Sequence, residues 1–179
     1  MADGFTFAPL GAAHDRSGFS CGVSALDRYF REPATQDIRR RVSNCFVVLD
    51  QDGGIAGYYT LAATSLPLPE ISAEHARRLP RYTALPAALI GRLAVDRPFQ
   101  GRGIGGAMIV DAISRAVRAE PAIFALIVDA KDAAALAFYE HLGFQQFVSR
   151  PMSLYLPIAE AVRRLGSNAA ARNFEVPRR

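Results

Sequence analysis

Two hydrophobic periodicities divide the chain into predicted strands and helices. Runs of consecutive apolar residues, typical of buried strands, occupy 45–49, 55–65, 87–95 and 123–130. Apolar residues spaced three to four apart predict helices over 23–30, 33–41, 70–78, 108–117, 132–141 and 158–165. The sequence QDGG predicts a hairpin turn at 51–54, and a final antiparallel pair of strands is expected within 144–157.

The order of these elements indicates the fold class. Two short helices, a hairpin and a helix come first, followed by a strand, a glycine-rich loop, a helix, a strand, a helix and two strands. This order predicts an α/β or α+β protein with a mixed sheet and helices on its faces. The length of 179 residues fits one domain, which we place at 1–165, followed by a flexible tail at 166–179.

Composition excludes several classes of protein. With 50% hydrophobic and 21% charged residues, the chain resembles an ordinary globular protein, and no apolar run is long enough to cross a bilayer. The first residues lack a basic segment followed by an apolar stretch, so we expect no secretory signal, a cytoplasmic location and no membrane partner. Cys21 and Cys45 have no CxxC spacing and no histidine at ligand spacing, so we expect neither a disulfide framework nor a metal site.

Basic residues are in excess and are almost all arginine. The formal net charge of +4 favours an anionic partner. Twenty of the 21 basic residues are arginine, which makes forked contacts to phosphate, although the base composition of a genome can also produce this ratio. The arginines cluster at Arg39, Arg40 and Arg41, at Arg77, Arg78 and Arg81, and at Arg92 and Arg97. For each cluster the alternative is a solvated helix face.

The glycine-rich sequence QGRGIG occupies 100–105, between the apolar run at 87–95 and a helical pattern. The first turn of a helix has amides without intrahelical partners, and the helix dipole favours negative charge there. Glycine permits a positive φ and close approach of a ligand, and Arg102 adds a guanidinium. The pattern predicts an anion site that fits a pyrophosphate, with a simple tight turn as the alternative.

The spacing of the glycines disfavours two nucleotide-binding motifs. The loop does not match GxxxxGK[ST], and its glycines at 101, 103, 105 and 106 do not match GxGxxG. No acidic residue ends a following strand at the distance that a ribose would require. A Walker-type site is therefore excluded, and a Rossmann-type site is disfavoured.

Two motifs in this order resemble the GNAT N-acetyltransferase superfamily. Gln100-x-x-Gly103-x-Gly105 after LAVDRPF is similar to its motif A, and AFYEHLGF at 137–144 is similar to its motif B. The resemblance implies the GNAT fold, with a mixed, mostly antiparallel central sheet that is flanked by helices and splayed at strands 4 and 5. It also implies acetyl-CoA as the cosubstrate, whose pyrophosphate is held by backbone amides of the loop.

The resemblance also implies roles for individual residues. The expected cofactor contacts are Leu93, Ala94, Val95, Gln100, Gly101, Arg102, Gly103, Ile104, Gly105, Asp132 and Phe138. The pantetheine arm would pair with the strand edge at 93–95, and an amide near Val95 would polarise the thioester carbonyl. Asp132 stands where many members carry asparagine. Tyr139 would protonate the leaving thiolate as a general acid, the alternative being a tyrosine packed in the core.

A wider resemblance links the chain to the acetyltransferase toxins of bacterial toxin–antitoxin pairs. It rests on the segments 19–30, 38–41, 57–65, 79–96 and 127–144. It implies acetylation of the α-amino group of aminoacyl-tRNA, which blocks translation, a ribbon-helix-helix antitoxin and a homodimer. The expected tRNA contacts are Arg77, Arg78, Arg81 and Arg92.

Two other functions stay open at this point. An acetyltransferase for a small-molecule amine or a protein N-terminus would keep the fold and cofactor but would need neither tRNA nor antitoxin. A basic module that binds nucleic acid without catalysis would not need the two motifs. The chain offers no obvious strong base, since Glu70 and Glu140 are expected to be solvated. The α-amine of an aminoacyl ester needs none, because its pKa lies below the usual value of about 8.

Overall fold

The strands and helices follow the predicted order. The structure is a computed structural model that describes residues 4–172, with side chains at 4–167. The strands are β1 Thr6–Pro9, β2 Asn44–Leu49, β3 Ile55–Pro67, β4 Ala84–Val95, β5 Ala125–Asp129, β6 Gln145–Gln146 and β7 Ser153–Pro157. The α-helices are α1 Ser24–Arg31, α2 Pro33–Arg39, α3 Ala73–Ala76, α4 Ile104–Arg118, α5 Ala133–His141 and α6 Ile158–Arg172. Single 3₁₀ turns occupy Leu68–Glu70 and Arg97–Phe99.

The described residues form two compact units. The first unit comprises 4–64 with 88–115, and the second comprises 65–87 with 116–172. In the first unit the strand order is β1-β2-β3-β4, and β2 pairs antiparallel with both β1 and β3. In the second unit β7 lies between β5 and β6 and pairs antiparallel with both.

Aromatic side chains build the core of the first unit. Phe30 of α1 is fully buried and stacks on Tyr58 of β3, with ring centroids 4.1 Å apart, and Phe19 meets both rings edge-on. The Tyr58 hydroxyl donates to the backbone oxygen of Leu26 at 2.8 Å, which satisfies the polar end of a buried ring. This packing explains why α1 follows the apolar spacing seen in the sequence.

The second unit is built on the apolar run of β5. Four of its five residues are buried, and the pairing with β7 runs from Ala125 opposite Pro157 to Asp129 opposite Ser153. Gly143 ends α5 with a φ of +97°, and its amide donates to the backbone oxygen of Glu140. The positive φ favours glycine at this position, and a Cβ atom here would displace the flexible end of the Arg164 side chain.

Several boundaries differ from the prediction. The helix expected over 70–78 is reduced to the single turn of α3, because Ile71 is extended after the 3₁₀ turn. Val117 was expected on the apolar face of α4 but is 55% exposed. Helix α6 continues to Arg172, beyond the helix predicted over 158–165 and into the expected tail, whose residues 173–179 lie outside the described residues.

Some chemical features of the described residues bear on the function. Cys45 is buried, Cys21 is half-buried, and both are free thiols. Between residues 4 and 172, no group of three or more His, Cys, Asp or Glu residues could hold a metal ion. No helix in this range is both long enough and apolar enough for a membrane span.

Candidate active site

The glycine loop of the first unit begins at a rigid strand end. After β4, the Asp96 carboxylate accepts hydrogen bonds from the backbone amides of Arg97, at 3.1 Å, and Ser20, at 2.8 Å. Asp96 thereby caps the 3₁₀ turn Arg97–Phe99 and ties it to the segment before α1. The loop is therefore fixed at the point where it leaves the strand.

Gln100 holds the start of the loop to two backbone carbonyls. Its side-chain amide nitrogen donates to the oxygen of Cys21 at 2.8 Å and to the oxygen of Val95 at 3.0 Å. Both hydrogen atoms of the amide are used within the protein, so Gln100 supports the shape of the loop. Sequence reasoning placed Gln100 among the cofactor contacts and did not foresee this supporting role.

Changing Gln100 to glutamate should weaken acetyl-CoA binding by at least about threefold to tenfold, the effect of losing one of its two hydrogen bonds. The carboxylate would face two carbonyl oxygens without a proton to donate, so the loop would detach from both. Calorimetry with acetyl-CoA measures the effect, and Gln36→Glu in α2 is the control because its side chain bonds only to exposed Glu32. Equal affinities for Gln100→Glu and the unmodified protein would contradict the supporting role.

Glycine conformations make the start of α4 accessible. Gly101 and Gly103 have φ values of +74° and +78°, in the left-handed region that favours glycine. A Cβ atom at either position would meet no atom within 4 Å, so the loop leaves open space beside its backbone. The first intrahelical bond runs from the amide of Ala107 to the oxygen of Gly103, so the amides of 104–106 precede the helical hydrogen-bond ladder. This open cradle of amides fits a pyrophosphate.

Arg102 is held at the loop by two aromatic rings. Its guanidinium carbon lies 5.3 Å from the ring centroid of Phe99 and 5.6 Å from that of Phe5. The two rings meet edge-on with centroids 5.8 Å apart. Cation–π attraction of this kind contributes roughly 0.5–1 kcal/mol at exposed sites. The guanidinium is thus partly ordered near the cradle, and sequence analysis did not foresee its contacts with Phe5 and Phe99.

Strand β3 holds the end of β4 and the start of α4 close together. A Cβ atom on Gly57 would lie 3.0 Å from the backbone oxygen of Ala94 and 3.4 Å from side-chain atoms of both Ile104 and Met108. Ala94 and Ile104 are buried, whereas Leu93 and Val95 are half-buried. The two expected cofactor elements of the first unit, the strand edge at 93–95 and the loop, are therefore neighbours around Gly57.

A partly buried polar network fixes α4 further along the helix. The Tyr59 hydroxyl donates to the Asp111 carboxylate at 2.5 Å, and the Arg115 guanidinium donates to the same carboxylate at 2.8 Å. Arg115 also stacks over the Phe46 ring at 3.8 Å. Burial, followed by the hydrogen bond to Asp111, raises the pKa of Tyr59. The network joins α4 to β2 and β3 and so keeps the cradle in place.

Tyr139, the predicted general acid, lies in the second unit on α5. Its residue is 8% exposed, between the rings of Phe138 and Phe144 at centroid distances of 5.2 and 5.5 Å. Its hydroxyl makes no hydrogen bond within the described part of its own unit. Burial raises the pKa of Tyr139 to about 12, and the charge of Asp129 acts in the same direction. The phenol therefore keeps its proton throughout the physiological range.

Asp132 begins α5 as its N-cap. Its carboxylate accepts a hydrogen bond from the Ala135 amide at 2.8 Å, which satisfies one of the free amides of the first turn. Phe138 is half-buried on the same helix. Asp132 thus has a local structural role, and its contact with a cofactor stays a prediction.

The arginines proposed for tRNA differ in their surroundings. Arg77, Arg78 and Arg81 are exposed in the second unit and make no ion pair within its described residues. Arg92 is half-buried in the first unit, with its guanidinium 3.5 Å from the ring centroid of Tyr29. Arg92 is therefore largely engaged in packing, whereas the other three present free charges.

Glu70 is held by neighbours and is not simply solvated as expected. Its carboxylate accepts hydrogen bonds from the Ser149 hydroxyl at 2.5 Å and from the Ser149 amide at 3.0 Å. These bonds, with the Arg150 charge as a smaller contribution, lower the pKa of Glu70. A carboxylate stabilised in its charged form is a weaker base, so the structure gives Glu70 no catalytic advantage.

Comparison with known proteins identifies the class. The acetyltransferase (GNAT) domain matches residues 42–146. The tRNA-acetylating toxin of Mycobacterium tuberculosis (strain ATCC 25618 / H37Rv) is 36% identical over 156 residues, covering 86% of this chain and 92% of that protein. The solved structure of AtaT complexed with acetyl-methionyl-tRNAfMet is similar with a TM-score of 0.81 at 25% identity, covering 90% of this chain and 99% of that chain.

A further solved structure shows the partners of a related protein. It contains a tyrosine-to-phenylalanine variant of AtaT bound to the C-terminus of the antitoxin AtaR and to acetyl-CoA. Its TM-score is 0.75 at 25% identity, with 91% of this chain and 99% of that chain covered. The fold of this chain thus has counterparts in toxins solved with tRNA, acetyl-CoA and an antitoxin.

Fold, loop and matches together define an enzyme that transfers acetyl groups. The chain belongs to the GNAT family of acetyl-CoA-dependent N-acetyltransferases, in the group that includes the tRNA-acetylating toxin. The predicted fold class, the cosubstrate and the resemblance to toxins are thereby confirmed.

Proposed function

We propose that this protein is a toxin that transfers the acetyl group of acetyl-CoA to the α-amino group of aminoacyl-tRNA and so blocks translation. The observation that carries the proposal is the 36% identity to the tRNA-acetylating toxin across 86% of this chain. That alignment extends well beyond the acetyltransferase domain match at 42–146, and so includes segments outside the two cofactor motifs.

Acetyl-CoA would occupy the cradle at the start of α4. The free amides of 104–106 and the guanidinium of Arg102 would hold its pyrophosphate, and the open space beside Gly101 and Gly103 supports this assignment. The pantetheine arm would pair with β4 at 93–95, and Asp132 and Phe138 would be further contacts. The thioester of acetyl-CoA supplies the activated acyl group.

The reaction would then need two functions from the chain itself. The neutral amine attacks the thioester carbonyl, and a backbone amide near Val95 stabilises the negative oxygen that forms. When the carbon–sulfur bond breaks, Tyr139 donates its proton to the sulfur, while the attacking nitrogen loses a proton to water. The high pKa of Tyr139 supports this role, because the phenol is protonated whenever substrate arrives.

No side chain is needed to deprotonate the acceptor. The α-amine of an aminoacyl ester has a pKa below about 8, because its esterified carboxyl withdraws electrons, so a sizeable fraction is neutral at cellular pH. Acetylation of lysine, with a pKa of about 10.4, would require a base.

The pH dependence of the reaction follows from the α-amine of the acceptor and from Tyr139. We expect kcat/KM for aminoacyl-tRNA to rise tenfold per pH unit below the pKa of the α-amine and then to stay level up to about pH 10. The raised pKa of Tyr139 means that its acid form is present at every pH below about 12, so it adds no falling limb in this range. Short time courses measure the profile before the ester hydrolyses. A falling limb between pH 8 and 10 that disappears in Tyr139→Phe would contradict this assignment.

The partners follow from the same proposal. Arg77, Arg78 and Arg81 would contact the tRNA phosphates, with Arg92 in a smaller role because it packs on Tyr29. A cognate antitoxin would neutralise the toxin, as the complex of AtaT with AtaR suggests for a relative, and we place it in the ribbon-helix-helix class. We further propose a homodimer that acts in the cytoplasm, where charged tRNA is found.

The proposal is tested by the identity of the acceptor. Labelled acetyl-CoA should transfer its label to the amino acid of a charged tRNA. A label that appears only on free amines or on peptide N-termini would favour the small-molecule or N-terminal acetyltransferase instead.

A further inference from the structure

The second unit carries an apolar groove whose lining includes none of the residues proposed above for acetyl transfer. The groove has a volume of about 550 Å³, and its walls include Leu68, Ile71, Tyr82 and Val148. Two of these large side chains stand open to solvent, Tyr82 at 62% and Val148 at 66% exposure. We name this feature, defined by these four residues, the Tyr82 groove.

Hydrogen bonds between three chain segments keep the groove in shape. The amide of Leu68 donates to the oxygen of Thr83 at 3.1 Å, and the amide of Val148 donates to the oxygen of Glu70 at 3.1 Å. Ser149 adds its two bonds to the Glu70 carboxylate. The walls are therefore preformed, and an occupant would not have to order them.

Most charged residues close in sequence to the residues of the groove are arginines. Arg77, Arg78 and Arg81 precede Tyr82, are exposed and have no ion-pair partner within the described part of this unit. Arg150 stacks on Phe147 at 4.9 Å and lies 4.0 Å from Glu70. The acidic residues in these segments are Glu70, which Ser149 already satisfies, and exposed Glu74. An anionic occupant is favoured over a neutral or cationic one.

An exposed aromatic ring that follows several exposed arginines in the sequence is a combination suited to single-stranded RNA. Unpaired bases stack on aromatic side chains, and arginines hold the phosphates between them. Paired bases present no free faces, so duplex RNA could use the arginines but not Tyr82. The amino acid of a charged tRNA is attached to its single-stranded 3′ end.

We infer that the Tyr82 groove binds the single-stranded 3′ end of tRNA, with a base stacked on Tyr82 and the adjacent phosphates on Arg77, Arg78 and Arg81. This inference rests on the proposed function and adds to it the residue that recognises the unpaired end. The arginines bind any RNA backbone, whereas Tyr82 provides the preference for unpaired nucleotides.

Two RNA hairpins test the inference directly. Both carry the same acceptor-stem duplex, and one has four unpaired 3′ nucleotides while the other is blunt. Fluorescence anisotropy with the full chain should give about tenfold tighter binding of the hairpin with the unpaired end. Tyr82→Ala should remove this preference, and Tyr82→Phe should retain it, because the stacking face is kept.

Matched variants separate stacking from charge and from folding. Val162→Ala alters another exposed apolar residue of the same unit and should change neither affinity. Arg77→Gln with Arg78→Gln should weaken both hairpins alike and reduce the dependence of affinity on salt. Thermal unfolding should be unchanged in Tyr82→Ala, since the side chain is mostly exposed.

Several results would overturn the inference. It fails when the unmodified protein binds both hairpins equally, or when Tyr82→Ala keeps the preference. It also fails when Tyr82→Ala weakens only the binding of a peptide from the antitoxin, which would make the groove a protein-docking site. Acetylation of charged tRNA by the unmodified protein is measured in parallel. If the unmodified protein does not acetylate charged tRNA, the proposed function is wrong. If it does, the binding results bear only on the role of Tyr82.

Discussion

Replacing Tyr139 by phenylalanine is expected to lower kcat by between about 100-fold and 10,000-fold, the range that a general acid contributes. The ring stays in its place between Phe138 and Phe144, so packing is preserved while the donated proton is lost. Acetyl-CoA affinity should change by less than about threefold, because the hydroxyl is needed only when the sulfur leaves. Steady-state kinetics with charged tRNA and calorimetry with acetyl-CoA measure the two quantities.

Tyr155 of the same unit provides a matched control. It is also buried, on β7, and its hydroxyl donates to the side-chain oxygen of Gln145 at 3.2 Å. Tyr155→Phe should cost about 1 kcal/mol of folding stability and leave kcat nearly unchanged. Full activity in Tyr139→Phe, or equal losses in both variants, would show that Tyr139 is a packing residue.

The second large effect is expected at Gly103. An alanine at its φ of +78° adds strain of about 1–2 kcal/mol and places a methyl group in the open space beside the cradle. Acetyl-CoA binding should weaken at least about tenfold, because the loop can no longer present its amides at close range. Calorimetry gives the affinity, and chemical denaturation gives the loss of stability.

Gly53 in the hairpin between β2 and β3 provides a control for backbone strain without an expected ligand contact. Its φ is +83°, and, as for Gly103, an added Cβ would meet no atom within 4 Å. Gly53→Ala should therefore lose a similar amount of stability and keep its affinity for acetyl-CoA. Equal affinities for acetyl-CoA in the two variants would show that the loop is not part of the acetyl-CoA site.

Local sequence signals predicted the elements that are proposed to carry the chemistry. The apolar run of β4, the glycines after it and the helical pattern of α4 are contiguous in the chain, so the loop and its conformation could be inferred. The helix that carries Tyr139 is bounded by Asp132 as N-cap and Gly143 at its end, which are also local signals. The resemblance of these segments to the GNAT superfamily then predicted acetyl-CoA as the cosubstrate.

Contacts between distant residues could not be predicted in this way. Gln100 bonds to the oxygen of Cys21, 79 positions earlier in the chain, and Arg92 packs on the ring of Tyr29. The pairing of Arg102 with Phe5 likewise depends on tertiary structure. The sequence therefore indicated candidate residues for the site without showing which of them, such as Gln100, support the loop through distant contacts.

The predicted helix lengths are wrong where the apolar pattern is short or interrupted by polar residues. The helix predicted over 70–78 is too long, and only the single turn of α3 forms. Pro69 lies in a 3₁₀ turn and Ile71 is extended, which apolar spacing does not reveal. Helix α6 is longer than the helix predicted over 158–165, because it continues through Gly166 and Ser167. Strand β1 was missed because four residues pair with β2 without a distinctive pattern of their own.

The central claim is that the acceptor is the α-amino group of an amino acid esterified to tRNA. The direct test is to incubate the protein with a pool of charged tRNA and labelled acetyl-CoA, release the amino acids by mild alkali, and identify the labelled one by mass. We expect an Nα-acetylated amino acid that forms with the unmodified protein and not with Tyr139→Phe. An active enzyme that consumes acetyl-CoA but leaves every aminoacyl-tRNA unlabelled would contradict the account.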